Sequence, residues 1–303
     1  MNRMATYVLA ARPWAFPASV VPVLLGCAVA ITHAGAALHW PHALMTLFAA
    51  ACLQGAANLV NDYFDFKSGV DRPGIDGASR GNLVTGRLTP RQVLVEGLIL
   101  WGVGALFALY FLSAVGPILL PLIAAGFILG FGYTVAPTVW KYRALGELCV
   151  FAAFGVGLTL GSYVVQTGHY SWTPVAYSLP VAFLIAAILL GNNLRDIASD
   201  REAAIHTLAM ELGPRRGRFF YLSLLAAAYL IPVVMAATRA AAPSAMLPLV
   251  SLPLARRTMR DVWPRAGSAD ERSGLIDLDL RTAQLQMVFG LLLILGTLAP
   301  VLF

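Results

Sequence analysis

The stretch NLVNDYFDFKSGVD, residues 58 to 71, places Asn58, Asn61, Asp62, Asp65 and Asp71 at the end of a mostly apolar run. Residues three or four apart share a helix face, so Asn58, Asn61, Asp62 and Asp65 form one polar stripe. Charge beside hydrocarbon costs several kcal/mol unless it meets water, a partner or an ion, so the stripe must face the interior of a bundle. A second stretch, GNNLRDIASDREAAIHTLA from Gly191, repeats the pattern. An offset of 135 residues lays Asn58-Leu59-x-Asn61-x-x-x-Asp65 over Asn193-Leu194-x-Asp196-x-x-x-Asp200. Two such stripes facing one another make an oxygen-rich, negative mouth that attracts hard divalent cations. Mg²⁺ in particular is held by one or two carboxylates together with phosphate oxygens. The same loops carry Lys67, Arg72, Arg80, Lys141, Arg143 and Arg195, which suit phosphate. Acid and base together imply a metal-bridged anion. A diphosphate at the membrane surface, above a cavity walled by Leu, Phe, Gly and Ala, describes an isoprenyl diphosphate. Mg²⁺ in the acidic clusters would neutralise the charge that develops as the allylic C–O bond breaks. Tyr63, Phe64, Tyr133, Trp140 and Tyr142 are candidates to face the allylic cation, although aromatics at loop junctions also serve as an interfacial belt.

The elements that must position these groups are long and apolar. Of 303 residues, 59% are hydrophobic and 12% charged, far from the composition of a soluble domain. Apolar runs lie near residues 14–32, 42–60, 93–112, 117–135, 146–165, 174–191, 219–237, 243–255 and 284–303, nine in all, the eighth being the shortest. Each approaches the roughly 17 to 25 residues that cross a bilayer as a helix. They are continuous rather than alternating, so the fold class is an all-α polytopic bundle of nine transmembrane helices, not a barrel. The N-terminal segment has no cleavage signature and reads as a retained first helix. With nine crossings, 20 of the 21 Lys and Arg residues fall on one side and Arg239 on the other. The positive-inside tendency then predicts an inner-membrane protein with a cytoplasmic N-terminus and a cytoplasmic site. The net charge of +6 is an orientation signal and makes no case for nucleic acid. Cys27, Cys52 and Cys149 lie in apolar runs without metal-ligand spacing, and His33, His39, His42 and His169 fall on the side away from the acids.

The stretches RPWAFPASVVPVLLG, NLVNDYFDFKSGVD, SRGNLVTGRLTPRQV, YRALGELCVF and NNLRDIASDREAAIHTLAMELG resemble the UbiA superfamily of intramembrane prenyltransferases over nearly the whole chain. The resemblance runs most strongly to its 1,4-dihydroxy-2-naphthoate polyprenyltransferase branch, of menaquinone synthesis. It implies a single domain over residues 1–303, with halves of about 1–140 and 141–280 plus a ninth helix. It also implies Mg²⁺ held by two aspartate motifs, and transfer of a polyprenyl chain from its diphosphate to an aromatic acceptor, with loss of the ring carboxylate. By position, Asn61, Asp65 and Asp71 resemble the first motif, with Asp62 beside them. Asp196 and Asp200 resemble the second. Lys141 looks like a diphosphate contact; Asn58, Arg72, Arg80, Tyr133, Arg143, Asn192, Asn193 and Arg195 complete the expected substrate contacts. Asp71, six residues after Asp65, resembles the naphthoate branch; the 4-hydroxybenzoate branch has its last Asp where Gly69 stands. Ile205 and His206 depart from the basic residue usual before Thr-Leu, and Ala78 from the usual Pro.

Other readings compete. Glu147, four residues after Arg143, is explained equally by a helix-end ion pair. Asp270, Glu271, Asp277 and Asp279 read as a solvated loop, of which the last two are placed to help close the site. Haem, chlorophyllide or 4-hydroxybenzoate prenylation, or terpene cyclisation, would use the same diphosphate end. A cation-coupled transporter is disfavoured because every acid sits near one face, whereas transporter sites lie near the midplane.

Overall fold

In the computed structural model, described for residues 3–71, 81–135, 137–263 and 274–302, the chain is a bundle of helices. Among the described residues the only β-type pairing is an isolated bridge between Arg143 and His206. Apolar runs in lipid must satisfy their backbone groups internally, and helices do this. Helix α1 (Arg3–Ala10) precedes α2 (Pro17–Ala34) and α3 (Trp40–Lys67). After the short α4 (Gly81–Val84) come α5 (Pro90–Ala114) and α6 (Leu120–Thr134), then α7 (Gly146–Val150), which continues through a π-helical stretch, Phe151–Gly157, into α8 (Leu158–Thr167). Helices α9 (Thr173–Glu202), α10 (Leu208–Ala237), α11 (Leu252–Asp261) and α12 (Leu278–Leu302) complete the order. Prolines in the first turns of α2, α3, α5 and α9 start helices where no backbone N–H is needed. Thr89 and Gln92 close a reciprocal capping box on α5.

Helix α9 is the central post. It packs on α10, α12, α2 and the π-helical stretch, and 67% of its most apolar window is buried, against 17% for α5 and for α6. Those two therefore form an outer wall toward lipid. Close approach depends on glycine: a Cβ on Gly26 of α2 would stand 2.3 Å from the Thr159 carbonyl oxygen of α8.

Among the described residues, eight helices are long and apolar enough to cross a membrane, one fewer than the nine runs predict. The difference lies at the eighth run. It is a 3₁₀ helix over Pro243–Ser251 followed by the basic α11, so no single apolar α-helix forms there. The segment nonetheless runs antiparallel to α12. Ser244 Oγ donates to the Gly296 carbonyl (2.7 Å) at one end, and Arg281 pairs with Asp261 (2.8 Å) at the other. Those contacts are about 22 Å apart along α12.

Candidate active site

The end of α3 and the turn after α6 build one cluster. Asn61 Nδ2 donates to Asp65 Oδ2 at 2.8 Å, one helical turn away. Val139, in left-handed backbone (φ 40°), precedes a 3₁₀ turn over Trp140–Tyr142 that turns two side chains back toward α3. Lys141 Nζ donates to Asp65 Oδ1 at 2.5 Å and to Asn61 Oδ1 at 2.6 Å. The Tyr142 hydroxyl donates to the same Asp65 oxygen. Thr134 Oγ1 adds a bond to Asn61 Oδ1 at 2.9 Å. Burial and the neighbouring Asp65 charge push the Tyr142 phenol far above its ordinary pKa, so it stays a proton donor. Lys141 is only 7% exposed, with its ammonium 4.6 Å from the Tyr142 ring centroid.

A second cluster rises from α9. Arg195 clamps Asp196 through Nε and Nη2, both at 3.0 Å, and reaches Asp279 of α12 through Nη1 at 3.0 Å. It also donates to Asn192 Oδ1 at 2.5 Å. Asn193 Nδ2 donates to Glu147 Oε1 of α7 at 2.9 Å, while the buried Glu147 Oε2 has no partner. Asp196 and Asp200, one turn apart, are both buried. The segment from Thr134 to Glu147 thus touches α3 at its start and α9 at its end, tying the clusters together.

Both open on one cavity of about 1980 Å³. Asn58, Asn61, Asp65, Tyr133, Lys141, Asn192, Asn193, Arg195, Asp196 and Asp200 line its polar end, and Leu, Phe, Ala and Gly side chains line the rest. Such a volume is about twice the upper range of ordinary small-ligand pockets. Asn58 also donates to the Ala11 carbonyl at 3.0 Å, anchoring the segment between α1 and α2.

Other expected residues stand apart from this cavity. Asp62 pairs with Arg12, and Asp62 and Asp71 share a small separate recess with Leu83 and Val93. Arg143 donates to the Pro137 carbonyl at 2.9 Å and does not form the helix-end pair with Glu147 that its spacing suggests. Arg72 and Arg80 lie outside the described residues. Gln54 and Arg12 are among the lining residues that the sequence does not mark as site groups. Gln54 continues the α3 stripe one turn before Asn58, a spacing that could have found it; it donates to the Ala15 carbonyl at 2.9 Å and leaves Oε1 buried without a partner. Arg12 reads in the sequence only as one of the orienting charges.

Among the described residues no three His, Cys, Asp or Glu side chains gather closely enough to hold a metal ion by themselves. The carboxylate and amide oxygens facing the cavity are nevertheless the hard donors Mg²⁺ prefers, and Mg²⁺ commonly takes one or two carboxylates plus phosphate oxygens. The donor set fits a cation that arrives with a phosphorylated ligand.

The UbiA prenyltransferase family profile matches residues 19–276. UbiA prenyltransferase domain-containing protein 1 of Mus musculus is 37% identical over 303 residues, covering 99% of this chain and 86% of that protein. The protein of the same name in Homo sapiens is 36% identical, over 99% and 85%. A solved UbiA homolog from Archaeoglobus fulgidus, bound to GPP and Mg²⁺, aligns with a TM-score of 0.65 and 18% identity over 95% of this chain and 99% of that one. The apo structure of a UbiA homolog from Aeropyrum pernix K1 gives 0.66 and 16%, over 97% and 98%. These two likenesses concern the fold; the family rests on the sequence matches. By those matches this multi-pass membrane protein belongs to the UbiA prenyltransferase family.

Proposed function

We propose that the chain transfers a polyprenyl group from an allylic diphosphate to 1,4-dihydroxy-2-naphthoate, with loss of the ring carboxylate, giving demethylmenaquinone. The observation that carries the diphosphate end is the opening of two oxygen-rich clusters, from α3 and α9, onto one cavity with apolar walls. Asp65 with Asn61, and Asp196 with Asp200, would hold Mg²⁺, which when bound supplies charge neutralisation to the departing pyrophosphate. Lys141, buried, and Arg195, half-buried, are cations that exchange their carboxylate partners for phosphate oxygens as the ligand enters. Asn192 and Asn193 offer further polar contacts at the same end. Tyr133, in the wall beside Gly146, presents a ring face to the reacting carbon. The spacing of Asp71 after Asp65 supports the naphthoate acceptor, and the distribution of basic residues supports a site on the cytoplasmic side of the inner membrane. The equivalent duty of α3 and α9 supports two repeated halves, near 1–140 and 141–280, within one domain.

The test is incubation of purified protein with Mg²⁺, a polyprenyl diphosphate and a panel of acceptors, including 1,4-dihydroxy-2-naphthoate and 4-hydroxybenzoate, with products identified by mass. The expected product is prenylated, decarboxylated naphthoate, lost on chelation of Mg²⁺. Prenylation of another acceptor alone would reassign the acceptor and keep the diphosphate chemistry.

A further inference from the structure

We infer that α3 measures the prenyl tail, with Ala57 and Ala50 marking successive depths of the cavity and Phe111 and Leu119 closing it about five isoprenoid units below Asp65. This rests on the function proposed above. From Asp65 back to Thr46, α3 lines the cavity at every third or fourth residue, so one helix face forms a continuous wall. Nineteen residues separate Asp65 from Thr46, a depth of about 28 Å at 1.5 Å per residue. Helix α5 descends antiparallel in step with it. A Cβ on Gly97 would meet Val60, one on Gly104 would meet Leu53, and Phe107 packs on Phe48 with ring centroids 5.7 Å apart. By that register Phe111 stands level with Thr46. Phe111 and Leu119 are buried lining residues, and we take them as the floor.

An extended isoprenoid unit adds four chain carbons, about 5 Å from ordinary bond lengths and angles. The wall is therefore long enough for about five units in line. At Ala57 and Ala50 it carries only a methyl group. The two lie seven residues apart on α3, about 10 Å or two units. A large side chain at either should act as a raised floor.

The experiment compares wild type, Ala57→Phe and Ala50→Phe in the Mg²⁺-dependent transfer assay, with prenyl diphosphates of two to nine units. Ala57→Leu and Ala50→Leu serve where a Phe variant fails to fold, as judged by thermal melting. The readout is the ratio of long-chain to short-chain kcat/KM. Wild type should lose efficiency beyond about five units. Each variant should show a ratio lowered about tenfold, the scale of one overpacked side chain. The cutoff should fall about two units lower for position 57 than for position 50. A wild-type length profile in both variants, or a loss equal at every length in well-folded protein, overturns the ruler while leaving the transferase reading intact. Absence of transfer by wild type at every length overturns the transferase reading itself.

Discussion

Asp65 decides how the site holds charge before any ligand arrives. Its spacing on a polar stripe suggests a cluster of mutually repelling acids, but the carboxylate accepts from Lys141, Tyr142 and Asn61, and Asp196 is clamped by Arg195. The mouth is internally neutralised. Asp65→Ala should therefore abolish turnover and also lower thermal stability, because it strands a buried ammonium; breaking such a pair costs about 3 kcal/mol. Adding Lys141→Met should restore part of the melting temperature and none of the activity. A single variant as stable as wild type would show that Lys141 finds water or another partner. The stripe residues were legible because a 3.6-residue period fixes their face, and Asn58, Asn61 and Asp65 do share one cavity. Asp62 was not separable from them by spacing. Its partner Arg12 lies 50 residues away, and no local pattern reports that pairing. Lys141 was legible as a cation; its aim depends on the left-handed Val139 turn, which periodicity does not reveal.

At the scale of elements, the stretch Phe151–Gly157 shows what hydrophobicity alone leaves out. The run 146–165 reads as one ordinary helix, yet its second turn is π-helical and lays Gly155 directly on α9. A Cβ there would stand 2.2 Å from the Ala182 Cβ and 2.5 Å from its Cα. Gly155→Val should cost about 1–3 kcal/mol as overpacking, read as a lower melting temperature in detergent. It should also reduce turnover, since Glu147 reaches Asn193 from the same continuous helix. An unchanged melting curve would mean that α9 yields freely at this contact. The long apolar helices were readable because lipid-facing backbone has almost no alternative to a helix. The 3₁₀ course of Pro243–Ser251 was not, because hydropathy is blind to hydrogen-bond register.

For the whole molecule, that 3₁₀ segment and α11 decide whether the chain crosses eight times or nine. Because it links the Gly296 end of α12 to the Arg281 end, residues on either side of it should lie on opposite membrane faces. Ala240→Cys and Arg257→Cys, each in a background without the buried Cys27, Cys52 and Cys149, should react with an impermeant maleimide from opposite sides of sealed vesicles. Labelling from one side would reduce the count of crossings to eight. The hold of α12 on the site has a bearing on biogenesis. Arg195 gains its second carboxylate from Asp279, near the start of α12. A nascent polypeptide whose α12 has yet to dock lacks that anchor, so the polar end of the cavity is completed only once this helix packs against α9.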